Sequence, residues 1–426
     1  MKVSNVGLSM KNKDEQTQIL IVGLGFVGLA CFVGFNKLGY DVIGVDNNSE
    51  KIKNLRNLNF EEIEEDIGDY IKENSDILDK ISNNLESSLF KNNKLISIFC
   101  VGTPNYEDGT PNLEILKNSI SDLLSKDFVK KHEIVIKSTV PPGTIDKVLK
   151  PYIDKNFSNI RYSLISNPEF LREGTALMDF VNPDRIVIGQ YNKSSIDKIY
   201  SDNYNCIFRT SPSGAEFCKY YSNSSLSAMI SFTNEMRLYA EKLKIKDIKN
   251  IFNQFHNDRR WNDSSMKNYF WPGIGFGGYC LPKDTRALLD NMRENNFPSK
   301  VLSSVIEVND ELIERFSDVI LEKFKDFKNV VFFGSSFKVG SDNIRESKTI
   351  EIYDNIKNNA KFNILFLNDK ASRQIKKYKT EIKLIDQKDI NKDSGIVIFL
   401  KNNEYISYLS NHERNYILDI PLLLDL

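Results

Sequence analysis

The sequence predicts an α/β protein in which two Rossmann-like, doubly wound domains are joined by a long central helix. Strand and helix patterns alternate in two separate regions, residues 17–205 and 328–426. Between these regions, a helical pattern of about 30 residues begins at Ser213. A chain of 426 residues is also longer than one hydrophobic core usually supports.

The composition is that of an ordinary globular protein, with 41% hydrophobic and 27% charged residues. The 57 basic and 58 acidic side chains nearly cancel, so we expect neither nucleic acid nor an anionic membrane as partner. The five cysteines and three histidines lack metal-binding spacing, so we expect neither a metal site nor a disulfide framework. The apolar run 19–35 contains four glycines and is too short to span a membrane, which favours a cytoplasmic protein.

The first domain opens on a dinucleotide-binding pattern. A buried-strand pattern at Gln18–Val22 is followed by the glycine turn Gly23–Gly28 and by an apolar helix that extends to Leu38. Gly23 would make the tight turn, Gly25 would let the backbone approach a pyrophosphate, and Gly28 would let helix and strand pack closely.

The second strand pattern ends at Asp46, where a carboxylate can bind ribose hydroxyls. Because this carboxylate would repel a 2′-phosphate, NAD is expected rather than NADP. Lys51 follows five residues later. It either reaches the same adenosine region or is an ordinary solvated helix lysine.

Two further strand patterns, at 95–101 and 133–137, end in polar tips. The carboxyl ends of parallel strands meet at the ligand edge of a doubly wound sheet. Either polar segment alone could be an ordinary strand-to-helix turn, in which Thr, Ser and Pro are present for their backbone geometry. Together they give four candidate residues: Thr103, Pro104, Ser138 and Thr139.

The segment 167–174 carries Glu169 and Glu173, four positions apart, with Arg172 beside them. On a short helix the two glutamates would share a face, and Arg172 could hold a phosphate or a carboxylate. The pattern at 184–189 predicts the final strand of this domain.

The predicted central helix carries Lys219 and Asn223, which face the same way because they are four residues apart. A buried Lys219 could polarise an oxygen. The alternative is an ordinary surface lysine.

The stretch 273–285 places four glycines in six positions shortly before Cys280. Pro282 fits the first turn of a helix, so Cys280 is expected just before a helix N-terminus, with Lys283 and Asp284 nearby. This setting favours the thiolate and makes Cys280 a candidate nucleophile. On this stretch alone, a buried inert cysteine stays an open alternative.

Helical patterns continue to about Phe327 and precede the second α/β region. Its strand patterns lie near residues 329–334, 362–367, 382–385 and 395–400. Lys338 and Arg345 fall on its first strand-to-helix loop, a suitable place to hold phosphates.

Together these stretches resemble the UDP-glucose and GDP-mannose dehydrogenase family, from Gln18 to about Glu351. Beside the dinucleotide pattern, the resemblance is carried by four ordered blocks, at 167–174, 215–223, 275–284 and 337–347. It implies an NAD-binding domain at 17–205, a central helical linker and dimerisation domain with the cysteine loop at 206–327, and a UDP-sugar domain at 328–426. Residues 1–16 are expected to be a flexible extension.

The resemblance also implies the chemistry, a four-electron, NAD-dependent oxidation of a nucleotide sugar at C6. UDP-glucose is the expected substrate and UDP-glucuronate for surface polysaccharide the expected product. Cys280 would add to the C6 aldehyde, and the thiohemiacetal would be oxidised to a thioester that water hydrolyses. The implied catalytic residues are Cys280, Lys219, Asn223, Asp284, Thr139 and Glu169.

Residue patterns and resemblance together give the binding residues. The expected cofactor contacts are Gly23, Gly25, Phe26, Val27, Gly28, Asp46, Lys51, Thr103, Pro104, Ser138, Thr139, Glu173, Lys283 and Arg345. The expected substrate contacts are Glu169, Phe170, Leu171, Arg172, Lys219, Asn223, Arg260, Phe276, Gly277 and Lys338. In a homodimer, Arg259 or Arg260 would reach the neighbouring subunit's site, and the choice stays open because the segment 261–271 is longer than usual.

Alternatives remain at this point. The Leu-Pro-Lys-Asp sequence after Cys280 is shared by UDP-glucose and GDP-mannose enzymes, so GDP-mannose is an alternative substrate. A UDP-N-acetylhexosamine is a further alternative, which the resemblance disfavours because relatives that act on these sugars usually differ just after the cysteine. The C-terminus lacks the arginine that many members use for the nucleotide. A non-catalytic nucleotide-sugar or NAD-binding protein is the rival class, although it would need none of Cys280, Lys219 and Asp284.

Overall fold

The computed structural model describes residues 17–60, 63–86, 90, 94–106, 109–126, 131–262, 265–409, 413 and 416–422. The predicted extension at 1–16 lies outside them. The chain divides into two units, Met1–Tyr221 and Ser222–Leu426. Whether the four predicted domains are separate bodies stays a prediction.

In the described part of the first unit, eight strands form one sheet in the order β3-β2-β1-β4-β5-β6-β7-β8. The order reverses beside β1, and all neighbouring strands pair in parallel except β6 with β7. The strands are β1 (Thr17–Val22), β2 (Val42–Val45), β3 (Ile81–Ser82), β4 (Lys94–Phe99), β5 (Lys131–Ile136), β6 (Arg161–Ser166), β7 (Ile186–Gly189) and β8 (Ile207–Thr210). This is a doubly wound sheet whose ligand edge is expected where the order reverses.

Apolar residues cover both faces of this sheet, which explains the continuous apolar runs of its central strands. Ile19 and Ile21 belong to one buried cluster, and Leu20 and Val22 to another, as the alternation of side chains along a strand requires. The helices of this unit are α1 (Phe26–Lys37), α2 (Ser49–Arg56), α3 (Glu65–Glu73), α4 (Glu114–Leu124), α5 (Lys150–Asn156), α6 (Ala176–Val181) and α7 (Ser195–Asn203).

The predicted long helix is confirmed as α8 (Pro212–Lys242), which has 31 residues. The boundary between the two units falls within it, after Tyr221. Among the described residues, no helix is both long enough and apolar enough to cross a membrane.

The second unit contains another doubly wound sheet, in the order β11-β10-β9-β12-β13, with parallel pairing throughout. Its strands are β9 (Asn329–Phe333), β10 (Asn363–Leu367), β11 (Lys383–Ile385), β12 (Gly395–Ile398) and β13 (Ile417–Asp419). Its further helices are α9 (Ile248–His256), α10 (Arg259–Asn262), α11 (Cys280–Glu294), α12 (Lys300–Lys323), α13 (Lys348–Ile356), α14 (Ser372–Tyr378) and α15 (Glu404–Leu409). The predicted fold class is therefore confirmed.

Three local predictions were wrong. Residues 167–175 are not helical, and the helix begins at Ala176, because Pro168 disfavours helical backbone before it and the Glu169 carboxylate accepts the Leu171 N–H at 2.7 Å. The strand at 186–189 is not the last of its sheet, since the half-exposed β8 follows it. Cys280 is the first residue of α11 rather than the residue before it.

Candidate active site

The glycine turn after β1 has the shape that a dinucleotide requires. Gly23 adopts a φ of +89°, and a Cβ on Gly28 would lie 1.7 Å from the Gly23 carbonyl oxygen, so both positions need glycine. A Cβ on Gly25 would meet nothing within 4 Å, so the space beside this backbone is open. Since α1 begins at Phe26, the turn fits a pyrophosphate against a helix N-terminus, with Val27 in the first turn.

Asp46 ties the end of β2 to this turn. Its buried carboxylate accepts the Leu24 N–H at 2.8 Å through Oδ2 and the Asn48 N–H at 2.9 Å through Oδ1. Lys51 Nζ lies 2.7 Å from Oδ2, so Lys51 is ion-paired to Asp46 rather than merely solvated. This places the acid where the second strand meets the glycine turn, as ribose recognition requires.

The tips of β4 and β5 are joined by two side-chain hydroxyls. Thr103 Oγ1 donates to the Thr139 carbonyl at 2.8 Å, and Ser138 Oγ donates to the Val101 carbonyl at 2.7 Å. Thr103 is buried, whereas Pro104, Ser138 and Thr139 are half-buried. The hydroxyls therefore brace the ligand edge of the sheet, and their predicted cofactor contacts stay predictions.

Glu169 and Lys219 form a buried ion pair in the first unit, with Nζ 2.8 Å from Oε1. Their side chains are only 9% and 6% exposed, so the surface-lysine alternative for Lys219 is wrong. Burial acts to raise the pKa of Glu169, but the Lys219 ammonium and the Leu171 N–H outweigh it and hold the pKa below its ordinary value. The Lys219 ammonium also lies 5.4 Å from the centre of the Phe170 ring.

Arg172 holds a carboxylate, as its residue type predicted, but the carboxylate belongs to Asp179. Arg172 Nε lies 3.1 Å from Asp179 Oδ2, and the Arg172 side chain is 67% exposed. Glu173 is half-buried in the same loop. A substrate contact by Arg172 would have to compete with this ion pair.

In the second unit, Cys280 is exposed at the N-terminus of α11, so a buried core cysteine is the wrong description. Asp284, one turn later, is 1% exposed and accepts the Asn223 amide at 2.6 Å. Lys283 Nζ lies 2.6 Å from Oδ1 of Asp284, the carboxylate oxygen that Asn223 does not contact. Burial acts to lower the pKa of Lys283, but Asp284 outweighs it and raises the pKa above the ordinary value.

The glycine loop 273–279 packs against the loop that follows β9. A Cβ on Gly277 would lie 2.2 Å from the Glu346 carbonyl oxygen, and one on Gly278 would lie 2.7 Å from the Phe337 ring. The loop after β9 also carries Lys338, half-buried, and Arg345, exposed. The second unit thus brings the predicted sugar-pocket residues Phe276 and Gly277 close to the loop predicted to hold phosphates.

Arg259 and Arg260 are both exposed on α10. Arg260 Nε lies 3.0 Å from Asp258 Oδ1. The choice between the two arginines for a neighbouring site stays open. Among the residues that the structure describes, no group of three or more His, Cys, Asp or Glu side chains is placed to hold a metal ion.

Sequence reasoning assigned no role to two buried polar residues that hold these loops. Glu216 accepts the backbone N–H groups of Gly143 and Ile145, and Asn309 binds the backbone of Phe276. Each is a polar residue at a buried position of a helix, which is the signal that could have identified it.

The glycine turn, Asp46 and the exposed Cys280 define a dinucleotide-binding α/β protein of the dehydrogenase class. Residues 17–207 match the NAD-binding domain of the UDP-glucose/GDP-mannose dehydrogenase family, and residues 213–311 match its central domain. The chain belongs to this family of nucleotide-sugar dehydrogenases, and NAD is confirmed as its cofactor.

Individual relatives differ in their named substrates. The UDP-glucose 6-dehydrogenase of Rickettsia bellii is 36% identical over 348 residues, which cover 79% of this chain and 78% of the relative. The GDP-mannose 6-dehydrogenase of Pseudomonas savastanoi pv. phaseolicola is 30% identical over 343 residues, covering 79% and 77%. The solved structure of a UDP-glucose dehydrogenase from Pyrobaculum islandicum superposes with a TM-score of 0.82 at 26% identity, covering 96% of this chain and 95% of that one.

Proposed function

We propose that this protein oxidises UDP-glucose to UDP-glucuronate. The observation that carries the proposal is Cys280, which is exposed at a helix N-terminus one turn before the enclosed Asp284. The identity of 36% to a UDP-glucose 6-dehydrogenase, against 30% to a GDP-mannose 6-dehydrogenase, supports UDP-glucose as the sugar. A non-catalytic binding protein would not need an accessible thiol.

The proposed reaction removes two hydrides from C6 in succession. Bound NAD supplies the hydride acceptor. Loss of the first hydride and of the hydroxyl proton turns the alcohol into an aldehyde. The Cys280 thiolate then adds to the aldehyde carbon, and the oxygen takes up a proton to give a thiohemiacetal.

Loss of that proton and of a second hydride gives a thioester on Cys280. Water adds to it, the carbon–sulfur bond breaks, and the carboxylate leaves as the Cys280 thiolate is restored, with the two protons of the water released. Overall, the alcohol and one water yield the carboxylate, two hydrides and three protons. Covalent capture also keeps the aldehyde from escaping between the two oxidations.

The remaining roles are assigned from the resemblance and supported by the local contacts. Lys219, which is ion-paired to Glu169, and Asn223 would stabilise oxyanions. Asp284 would orient or deprotonate the hydrolytic water, and Thr139 and Glu169 would position water. Lys338 would bind the UDP-sugar, and Arg345 would bind the NAD pyrophosphate.

We propose that the protein is a homodimer. Helix α8 exposes several large apolar side chains, Phe217, Tyr221, Phe232 and Tyr239, each at least 50% exposed. Solvation of so many aromatic groups on one helix is unfavourable, so a second subunit is expected to cover them. Sedimentation equilibrium would test this, and a monomer at micromolar concentration would contradict it.

The substrate is tested by measuring NADH formation with UDP-glucose, GDP-mannose and UDP-N-acetylglucosamine. We expect UDP-glucose to be preferred and two NADH to form per sugar. Turnover of only GDP-mannose or the N-acetylated sugar would refute the substrate. If none is oxidised, alkylation of Cys280 with and without UDP-glucose would show whether the protein only binds the nucleotide sugar.

A further inference from the structure

Glu216 is a buried acid of α8 to which the mechanism above gives no role. It is 2% exposed, and both of its carboxylate oxygens are engaged. Oε2 accepts the Gly143 N–H at 2.6 Å, and Oε1 accepts the Ile145 N–H at 2.9 Å. These donors lie on the loop that follows β5, more than 70 residues earlier in the chain, where a π-helical segment begins at Ile145.

This loop begins with residues that the proposed function uses. Ser138 and Thr139 are its second and third residues, and the Thr139 carbonyl accepts a hydrogen bond from the Thr103 hydroxyl. At the other end of the loop, Glu216 accepts the N–H groups of Gly143 and Ile145, so hydrogen bonds hold the loop at both ends. Gly143, with a φ of +92°, forms the turn between them.

The same helix fixes the neighbouring loop. Lys219, three residues after Glu216, binds Glu169 on the loop that follows β6. The first turns of α8 therefore hold two adjacent loops at the ligand edge of the sheet, one through an acid and one through a base. Thr139 lies on the first of these loops and Glu169 on the second, so one helix anchors both loops that carry proposed catalytic residues.

The strength of these two hydrogen bonds depends on the charge of Glu216. An ionised carboxylate accepts at both oxygens, whereas a protonated one has a hydroxyl oxygen that is a poor acceptor for a facing N–H. Burial raises the pKa of Glu216 to about 8, although the N–H groups of Ile145 and Gly143 act to lower it. Asp146 adds repulsion, and Tyr191 and Ser213 donate to Asp146, while Lys147 lies beside Gly143.

We propose that Glu216 is a positioning residue for the oxidation: its ionised carboxylate fixes the loop that carries Thr139, and protonation loosens that loop. The proposal rests on the proposed function for its catalytic readout, because Thr139 is assigned there. In this proposal, α8 keeps the loop after β5 well ordered only while Glu216 is charged.

The test compares Glu216→Gln with the wild type. Glutamine has the size of glutamate but can offer only one acceptor to the two N–H groups. In Glu216→Gln we expect kcat with UDP-glucose to fall about tenfold or more. The KM values for UDP-glucose and NAD should stay within twofold of those of the wild type. The wild-type kcat should fall as the pH drops through about 8, and this fall, the acid limb of the pH profile of kcat, should be absent from Glu216→Gln. An unchanged kcat, or an unchanged limb, would overturn the proposal.

Hydrogen exchange provides a readout that needs neither cofactor nor substrate. After correction for intrinsic exchange rates, protection of the amides of 143–145 should rise in the wild type as the pH increases through about 8, and it should be low at all pH values in Glu216→Gln. If the wild type oxidises no nucleotide sugar, the proposed function fails, but this exchange result still decides whether Glu216 holds the loop. Equal protection in both proteins overturns the proposal.

Two further variants guard against general effects. Asp146→Asn removes the nearby negative charge, so the Glu216 limb should move to lower pH, which a merely structural role would not produce. The exposed Glu235→Gln on α8 should change neither kcat nor exchange. If Glu216→Gln fails to fold, the wild-type exchange profile and the Asp146→Asn shift remain decisive, and the absence of either contradicts the proposal.

Discussion

Asn309 on α12 holds the backbone of Phe276 at both of its polar groups. Its Oδ1 accepts the Phe276 N–H at 2.7 Å, and its Nδ2 donates to the Phe276 carbonyl at 3.2 Å. Gly275 has a φ of +99°, and a Cβ there would lie 2.4 Å from Asn309 Oδ1. One buried amide thus sets the path of the glycine loop shortly before Cys280.

Replacing Asn309 with leucine should destabilise the second unit and disorder the glycine loop. The change leaves two buried backbone groups without partners, which costs about 1–3 kcal/mol for each group. We expect a lower urea midpoint and a changed rate of Cys280 alkylation. Asn309→Asp is the matched variant, because it keeps the acceptor for the N–H and loses the donor. Wild-type stability in Asn309→Leu would contradict this account.

Cys280→Ser should stop the reaction before the acid is formed. A serine hydroxyl has a far higher pKa than a thiol and is a weaker nucleophile, so capture of the aldehyde should fail. We expect acid formation to fall by about a thousandfold or more, measured by separating the sugar products. Cys218→Ser, on the half-buried α8 cysteine, is the matched control and should keep most activity. Full conversion to acid by Cys280→Ser would refute the thioester route.

The dinucleotide-binding turn of the first unit was predictable because the residues that form it are close together in the sequence. The spacing from Gly23 to Gly28, and then to Asp46, directly encodes a turn, a close packing and a strand end, and the structure shows each of them. The roles of Glu216 and Asn309 were not predictable in this way. Their backbone partners lie 73 and 33 residues away, and only the folded topology brings them together.

Local errors have equally specific causes. The spacing of Glu169 and Glu173 favoured a helix, but a side-chain to backbone hydrogen bond at Leu171 holds this segment in a loop. The edge strand β8 lacks a buried run, since two of its four side chains are exposed. Periodicity therefore identified β1, β2, β4, β5 and β7. It did not identify the edge strand β8, and it also missed β6, an inner strand between β5 and β7.

Asp46→Asn should weaken the preference for NAD over NADP. Removing the charge removes the repulsion of a 2′-phosphate and frees Lys51 from its ion pair, which lies at 2.7 Å. We expect kcat/KM for NAD to fall about tenfold, and the ratio of NAD to NADP use to fall further. Asp41→Asn, just before β2 at its other end, is the control and should leave this ratio unchanged. An unchanged ratio in Asp46→Asn would show that Asp46 does not face the ribose.

Breaking the Glu169–Lys219 pair should destabilise the first unit strongly. Glu169→Gln leaves a buried ammonium without its counter-charge, at a cost of about 3–5 kcal/mol in the free energy of unfolding. Because the folded pKa of Glu169 is below the unfolded value, the stability it contributes is present above about pH 4.5 and is lost as the pH falls through the folded pKa. Urea unfolding at pH 7 and at pH 4 would measure both effects.

A double-mutant cycle separates this pair from its surroundings. The double variant Glu169→Gln with Lys219→Met removes both charges, so it should be more stable than Glu169→Gln alone. The difference between the wild type and Glu169→Gln should shrink at acid pH, because protonation of Glu169 removes the counter-charge from the wild type as well. Additive losses in the cycle would mean that the 2.8 Å contact contributes no coupling. Activity should stay low in the double variant even where stability returns, because Lys219 is also assigned to the oxyanion. Recovery of both stability and activity would instead assign Lys219 a purely structural role.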